Sequence, residues 1–228
     1  GATILAAEAC LRVGVGSVKI ICTKETLPIL SRKFPSALKI EINNISFLKS
    51  FLRKERKTTM VALVGPGAGK SSKTMQFTEE ILKQIKYVIL DADSLNSFQK
   101  KTKKFLKYLD KNKLITPHRA EFHRLFPSIK TSLSNKEKVS KFLKVCKSNI
   151  LLKGNTTVIG SPAKIVINKH TSSELAVIGS GDVLAGIIAS LVGDKKMSPN
   201  EAASAATWIH GDIAKRYGRG LISEDLVK

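Results

Sequence analysis

Short apolar runs with no polar interruption recur through the middle of the chain. Residues 60–64 (MVALV), 87–90 (YVIL), 114–115 (LI) and 150–152 (ILL) are the clearest, and helical patterns separate them. A strand without alternation is buried on both faces, so helices must cover both sides of its sheet. A helix between successive strands makes them parallel. The expected architecture is therefore three-layer α/β/α with a mostly parallel central sheet.

The other segments fit that plan. Helix is expected over 2–13, ended by Gly14 and Gly16, and again over 25–32, 43–53 and 73–85. Further helices are expected over 97–109, with a basic outer face, and over 120–125, 135–146, 182–192 and 199–217, with a last turn from Ser223. Strands are expected at 17–22 and 38–42, and a hairpin at 157–160 with 164–167. Repeats and low-complexity linkers are absent, so residues 1–228 read as one domain.

Lysine and arginine exceed acids by 21 charges, which raises the question of a nucleic-acid partner. The basic residues are scattered, in 53–57, 100–104, 136–147 and 195–196, without interleaved aromatics for base stacking. That pattern reads as a lysine-rich solvated surface with no specific nucleic-acid role, and its field would help attract a phosphorylated substrate. No apolar run approaches the ~18 residues of a membrane span, and the start carries no basic region ahead of an apolar one. Cys10, Cys22 and Cys146 are few and widely spaced, which suits a reducing cytoplasm rather than disulfides or zinc.

Ligands of open α/β sheets sit beyond the carboxyl ends of the strands. Four motifs follow expected strands directly: Gly65-Pro66-Gly67, Asp91-Ala92-Asp93, Thr116-Pro117-His118 and Lys153-Gly154. They should line one rim. The segment Gly179-Ser180-Gly181-Asp182 opens a helix of small residues, where glycines allow close approach to a phosphate and unpaired N–H groups offer a positive dipole end. Ser180 is placed to cap that helix. Asp182 in the first turn either complements the dipole or does chemistry; among the other rim motifs, chemistry is the better reading. The run from Gly65 to Ser71 (GPGAGKS) is not a P-loop, because Val64 stands where the first glycine belongs; a glycine turn in ligand contact is expected instead. His118 is open between general acid, substrate contact and helix cap. Asp91 and Asp93 divide between a structural place and one near the site, where Mg²⁺ or substrate hydroxyls could be held. His123, His170 and His210 have no partners at metal-ligand spacing, so no metal ligands are assigned, and the residues around Trp208 read as core.

These motifs in this order resemble the ADP-dependent NAD(P)H-hydrate dehydratases, carbohydrate-kinase-like members of the ribokinase-like superfamily. The resemblance rests on Gly65-Pro66-Gly67-Ala68-Gly69, DADSLN (91–96), ITPHRAEFHRLF (115–126), LLKGNTTVIGSP (151–162), GSGDVLAGIIASL (179–191), EAASAATWIHGDIAK (201–215) and RGLISEDL (219–226). It implies a ribokinase-like fold and a repair reaction. ADP, or ATP in eukaryotic relatives, phosphorylates the ring hydroxyl of NADHX or NADPHX, and phosphate elimination restores NAD(P)H. It implies that Asp182 is the base and that Ala2, Gly67 and His118 contact the hydrated cofactor. It places the adenine nucleotide at Lys153, Gly154, Asn155, Thr156, Thr157, Gly179, Ser180 and Gly181, with Mg²⁺ on its phosphates. It further implies a homotetramer, and a first strand ahead of Gly1. The pattern departs from the family at Val177-Ile178, Arg119-Ala120 and Asn155-Thr156. The alternatives are a ribokinase-like vitamin-precursor kinase and a non-catalytic relative that still binds nucleotide.

Overall fold

The structure, a computed structural model, describes residues 1–55 and 60–228; residues 56 and 57 of the basic 53–57 stretch lie outside them. In chain order the elements are α1 (Ala2–Arg12), β1 (Lys19–Cys22), α2 (Leu27–Lys33), β2 (Leu38–Glu41), α3 (Ile45–Glu55), β3 (Val61–Val64), α4 (Ser72–Gln84) and β4 (Tyr87–Leu90). There follow α5 (Ala92–Asn96), α6 (Thr102–Leu106), β5 (Lys113–Ile115), α7 (Arg119–Leu125), α8 (Asn135–Val145) and β6 (Asn149–Leu152). The chain closes with β7 (Thr157–Gly160), β8 (Ile165–Asn168), α9 (Ser180–Gly193) and α10 (Pro199–Tyr217).

The main sheet runs β3-β4-β5-β6-β7-β8. Its first four strands are parallel, and β7 and β8 add an antiparallel hairpin. Inside each unbroken apolar run the side chains alternate between two cores. Val88, Leu90, Ile115, Ile150, Leu152 and Val158 face the core covered by α3 to α8. Ile89, Leu114, Leu151 and Ile159 face the core made by α9, α10 and Ala9 of α1. Helices of both faces therefore fix the same strands, each buried Leu or Ile contributing ~2 kcal/mol. The layers are those expected.

The glycine at 186 explains how tightly α1 lies on α9. A Cβ there would stand 2.2 Å from the Ala6 carbonyl oxygen. Glycine alone fits.

Two expectations are corrected. The strands at 17–22 and 38–42 form, but β1 and β2 pair only with each other, in a parallel two-stranded sheet beside the main one. A third small core of Ala7, Ile20, Cys22, Leu30, Phe34 and Ala37 holds that unit to α1. The helix expected over 97–109 shrinks to α6, Thr102–Leu106: Lys100 takes a left-handed φ of 62°, so the chain turns after α5 before helix can begin again. Trp208 is not core. It is half-exposed and stacks on the His170 ring at 4.8 Å, while Ala202, Ala203 and Ala206 of the same helix are buried.

Candidate functional site

Because β3 to β6 are parallel, their carboxyl ends share one edge, and backbone hydrogen bonds extend the sheet into the turns. The Asp91 N–H donates to the Val64 carbonyl at 3.0 Å, the Thr116 N–H to Leu90 at 2.9 Å and the Lys153 N–H to Pro117 at 2.9 Å. Gly65, at φ 130°, lies so close to the next turn that a Cβ would stand 1.7 Å from the Asp91 oxygen. The Gly69 N–H donates to Asp93 Oδ2 at 2.8 Å, which ties the glycine turn to the following one. Between the two acids Ala92 has φ 45°. Such non-glycine strain costs about 1–3 kcal/mol and persists where surroundings impose it, most often at working sites.

At the centre of this edge Lys153 Nζ donates to Asp91 Oδ1 at 2.7 Å. Asp91 is 1% exposed, so removal of the lysine would leave a shielded, unpaired carboxylate. Burial alone would lower the Lys153 pKa, but the charge and hydrogen bond of Asp91 outweigh it and raise it. The ammonium stays on.

The first turn of α9 comes down on that pair. A Cβ at Gly181 would stand 3.3 Å from Lys153 Nζ and 4.0 Å from Asp91 Oδ2. Glycine thus leaves the lysine open toward the helix N-terminus, where the Ser180 and Asp182 N–H groups donate to the Val177 and Gly179 carbonyls and the dipole end stays positive. Asp182 follows in the same turn. Burial and then the negative charge of Asp91 push its carboxyl up from 3.8 to about 6, with Lys153 pulling the other way. A carboxylate poised there takes a proton near neutral pH far more readily than an ordinary aspartate.

The cap of α9 is Gly179, at φ 90°, and not Ser180. Ser180 is buried in the helix, where its hydroxyl lies 3.2 Å from His210 Nε2. The sequence expectation is corrected here because that partner, a turn of α10, draws the hydroxyl inward. Burial lowers the His210 pKa to about 4, so the ring is neutral at ordinary pH. On the other side Ser223 Oγ donates to the Ile178 carbonyl at 2.5 Å. His210 and Ser223 are supports that sequence reasoning missed, for nothing local links residues 30 and 45 positions away.

The expected cofactor contacts divide. Ala2 and Gly67 adjoin: a Cβ on Gly67 would be 3.7 Å from the Ala2 Cβ, and Thr3 Oγ1 donates to the Pro66 carbonyl at 3.0 Å. His118 caps α7, with Nδ1 accepting from the Ala120 and Glu121 N–H groups. Its place on the edge is next to Lys153, with which it forms a parallel bridge. Burial lowers its pKa, and the Lys153 and Arg124 charges add to that. The remaining nucleotide candidates lead away from the ion pair. Gly154 packs near Asn135, and Thr157 Oγ1 donates back to the Gly154 carbonyl at 3.2 Å. Asn155 and Thr156 line a cavity of 360 Å³ with Arg119 and Asn135.

A family model described as NAD(P)H-hydrate dehydratase matches residues 1–221. The ADP-dependent (S)-NAD(P)H-hydrate dehydratase of Neisseria meningitidis is 32% identical over 94% of this chain and 72% of its own length. The bifunctional NAD(P)H-hydrate repair enzyme of Escherichia coli is 31% identical over 99% of this chain, which spans 43% of that protein. Among solved structures, a ribokinase-like superfamily protein of Enterococcus faecalis superposes with a TM-score of 0.85 at 23% identity, over 100% of this chain and 79% of that one. The ADP/ATP-dependent NAD(P)H-hydrate dehydratase of Bacillus subtilis, co-crystallized with ATP/Mg²⁺, superposes with a TM-score of 0.76 at 23% identity, over 100% and 81%. The last two likenesses establish a ribokinase-like fold.

Proposed function

The chain belongs to the NAD(P)H-hydrate dehydratase family, and from that premise we propose that it dehydrates NADHX or NADPHX at the expense of ADP, with Asp182 as the base. The observation that carries the assignment is the seating of the Gly179–Asp182 turn of α9 directly over the Lys153–Asp91 ion pair, with Asp182 in the first turn.

Asp182 takes the proton from the ring hydroxyl as that oxygen attacks the terminal phosphorus of ADP. The bond from phosphorus to the bridging oxygen breaks, leaving AMP. The ring carbon–oxygen bond then breaks to expel phosphate, the adjacent ring carbon gives up a proton to the departing phosphate or to water, and the electron pair of that C–H bond forms the carbon–carbon double bond of the reduced nicotinamide. Through the transfer, N–H groups at Gly179 and Gly181 and the ammonium of Lys153 face the transferred group's negative oxygens, while the Ser180 N–H donates to the Val177 carbonyl at 3.3 Å and braces the turn. The Asp91 partnership keeps Lys153 charged and fixed, so no reorganisation is needed as charge develops. Asn155, Thr156 and Thr157 continue from Lys153 and hold the nucleoside end, while Ala2 and Gly67 hold the hydrated cofactor.

Among the described residues no three acidic, histidine or cysteine side chains converge as a metal cage. That donor set suits a hard cation held mainly by nucleotide phosphates with one or two carboxylates, the usual mode of Mg²⁺. Asp91 and Asp182 are the protein oxygens available to it, and it would neutralise phosphate charge. We also propose that the chain forms one domain, which a single cooperative unfolding transition tests, and a homotetramer, which light scattering of the purified chain tests.

The deciding experiment follows the return of reduced-nicotinamide absorbance from NADHX with ADP and Mg²⁺. Asp182→Asn is expected to lose at least about 10²-fold in turnover while still binding ADP, the scale of general-base catalysis. A wild-type rate in that variant would remove Asp182 from the mechanism.

A further inference from the structure

Along a helix successive side chains are about 100° apart around the axis, so Ser180 and Asp182 leave α9 on nearly opposite sides. Ser180 is turned inward: it is 5% exposed, and its hydroxyl lies 3.2 Å from Nε2 of His210. Asp182 is turned the other way, toward the charges of Asp91, Lys153 and Asp93. Gly181, between the two, faces Lys153 Nζ. Whatever fixes the direction of Ser180 therefore fixes the direction of Asp182.

The fixed point is on α10. His210 is 4% exposed, and Ala206, Thr207, Gly211 and Ala214 of the same helix are buried with it. A Cβ on Gly211 would run into the His170 carbonyl, so α10 is also pressed against the chain that leads into α9. The His210 ring meets the Ser180 backbone as well as its hydroxyl, a two-point hold on one residue. The lever from there is unequal. Cα atoms lie about 2.3 Å from a helix axis and side-chain ends about 5–6 Å. A rotation of about 15° thus moves the Ser180 Cα by ~0.6 Å but the Asp182 carboxylate by ~1.5 Å. A misplacement of about 1 Å can cost a reaction about 10²-fold.

We propose that His210 is a positioning residue for the phosphoryl transfer: through Ser180 it sets the rotation of the first turn of α9 and so aims the Asp182 carboxylate. The inference rests on the reading of Asp182 as the base. His210 itself acts from behind the turn and touches no reacting atom.

Turnover of NADHX with ADP and Mg²⁺, ADP affinity and amide NMR shifts of the full chain test it. His210→Met, which keeps bulk without ring nitrogens, and Ser180→Ala are each expected to lower kcat about tenfold or more. ADP affinity should stay within about threefold, since the contact aims a group and holds no ligand. His210→Gln, whose Nε2 reaches the same place, should recover most of the loss. Because the pair acts through one contact, the double variant with Ser180→Ala and His210→Met should be within about twofold of the slower single variant. Amide shifts of Gly181 and Asp182 should move in the same direction in His210→Met and Ser180→Ala and stay in place in His210→Gln. If His210→Met fails to fold, Ser180→Ala and His210→Gln decide. Wild-type kcat in a folded His210→Met or Ser180→Ala, losses that multiply in the double variant, or ADP affinity falling as far as turnover overturns the proposal. A wild type without turnover ends the dehydratase reading instead, and the amide shifts then decide alone: shared movement supports the hold of His210 on the turn, and unmoved shifts refute it.

Discussion

Asp182→Asn should make the protein more stable as well as less active. In the folded state burial and Asp91 hold the Asp182 carboxyl at about 6, against 3.8 in the unfolded chain. That gap corresponds to ~3 kcal/mol of penalty on the charged form. The group keeps contact with water, so screening reduces the penalty to about 1–2 kcal/mol. The sign follows from proton uptake. Between pH 3.8 and about 6 the folded state binds the proton more tightly, so stability falls as pH rises through that window and stays reduced above it. Asparagine has the same shape without the charge, and relieves a cost that exists only above the window. Thermal unfolding at pH 8 should show Tm higher by about 2–6 °C in the variant, since ~1 kcal/mol moves Tm by roughly 2–4 °C at this size. Near pH 3.5 the two proteins should melt together. An equal gain at both pH values, or a loss at pH 8, would refute a penalised carboxylate at this position.

Other substitutions probe the supports. For the wild-type enzyme, kcat/KM should rise about tenfold between pH 5 and 7, following ionisation of Asp182 at about 6; a flat profile removes it as the base. Lys153→Met should cost about 3 kcal/mol in chemical denaturation by leaving Asp91 buried and unpaired. Gly65→Ala should prevent folding or cost more than ~3 kcal/mol, because its Cβ would stand 1.7 Å from the Asp91 oxygen. Gly69→Ala, with similar left-handed backbone but open space, should cost only ~1–2 kcal/mol. His118→Ala should lose about 1 kcal/mol by uncapping α7, and His118→Asn should recover most of it.

Much of the fold was legible because its strands are buried on both faces and therefore unbroken. Residues 87–90 announce a central strand by themselves, and the turn residues after each strand then mark the ligand edge. Elements governed by a single backbone choice were not legible. Lys100 carries no signal of its left-handed φ, so a helix continues through it on paper. Nor could pattern reveal that β1 and β2 leave the main sheet, since their alternation fits either place. At the site, Asp182 and Lys153 were readable from the turns they follow. The Ser180–His210 pairing was not, because long-range partners carry no local spacing.

The close seating of α1 on α9 ties one end of the chain to the ligand edge. The backbone of Ala6 meets Gly186 with no room for a methyl group, and one turn earlier Ala2 and Thr3 adjoin Gly67 and Pro66. Residues 1–12 are therefore pinned at two places, on α9 and on the glycine turn, so that the hydrated cofactor, if held at Ala2 and Gly67 as proposed, would tighten the seat of the whole helix. Amide hydrogens of α1 should then exchange with solvent more slowly when the hydrated cofactor is bound, and an endoprotease attacking this segment should be slowed to the same degree.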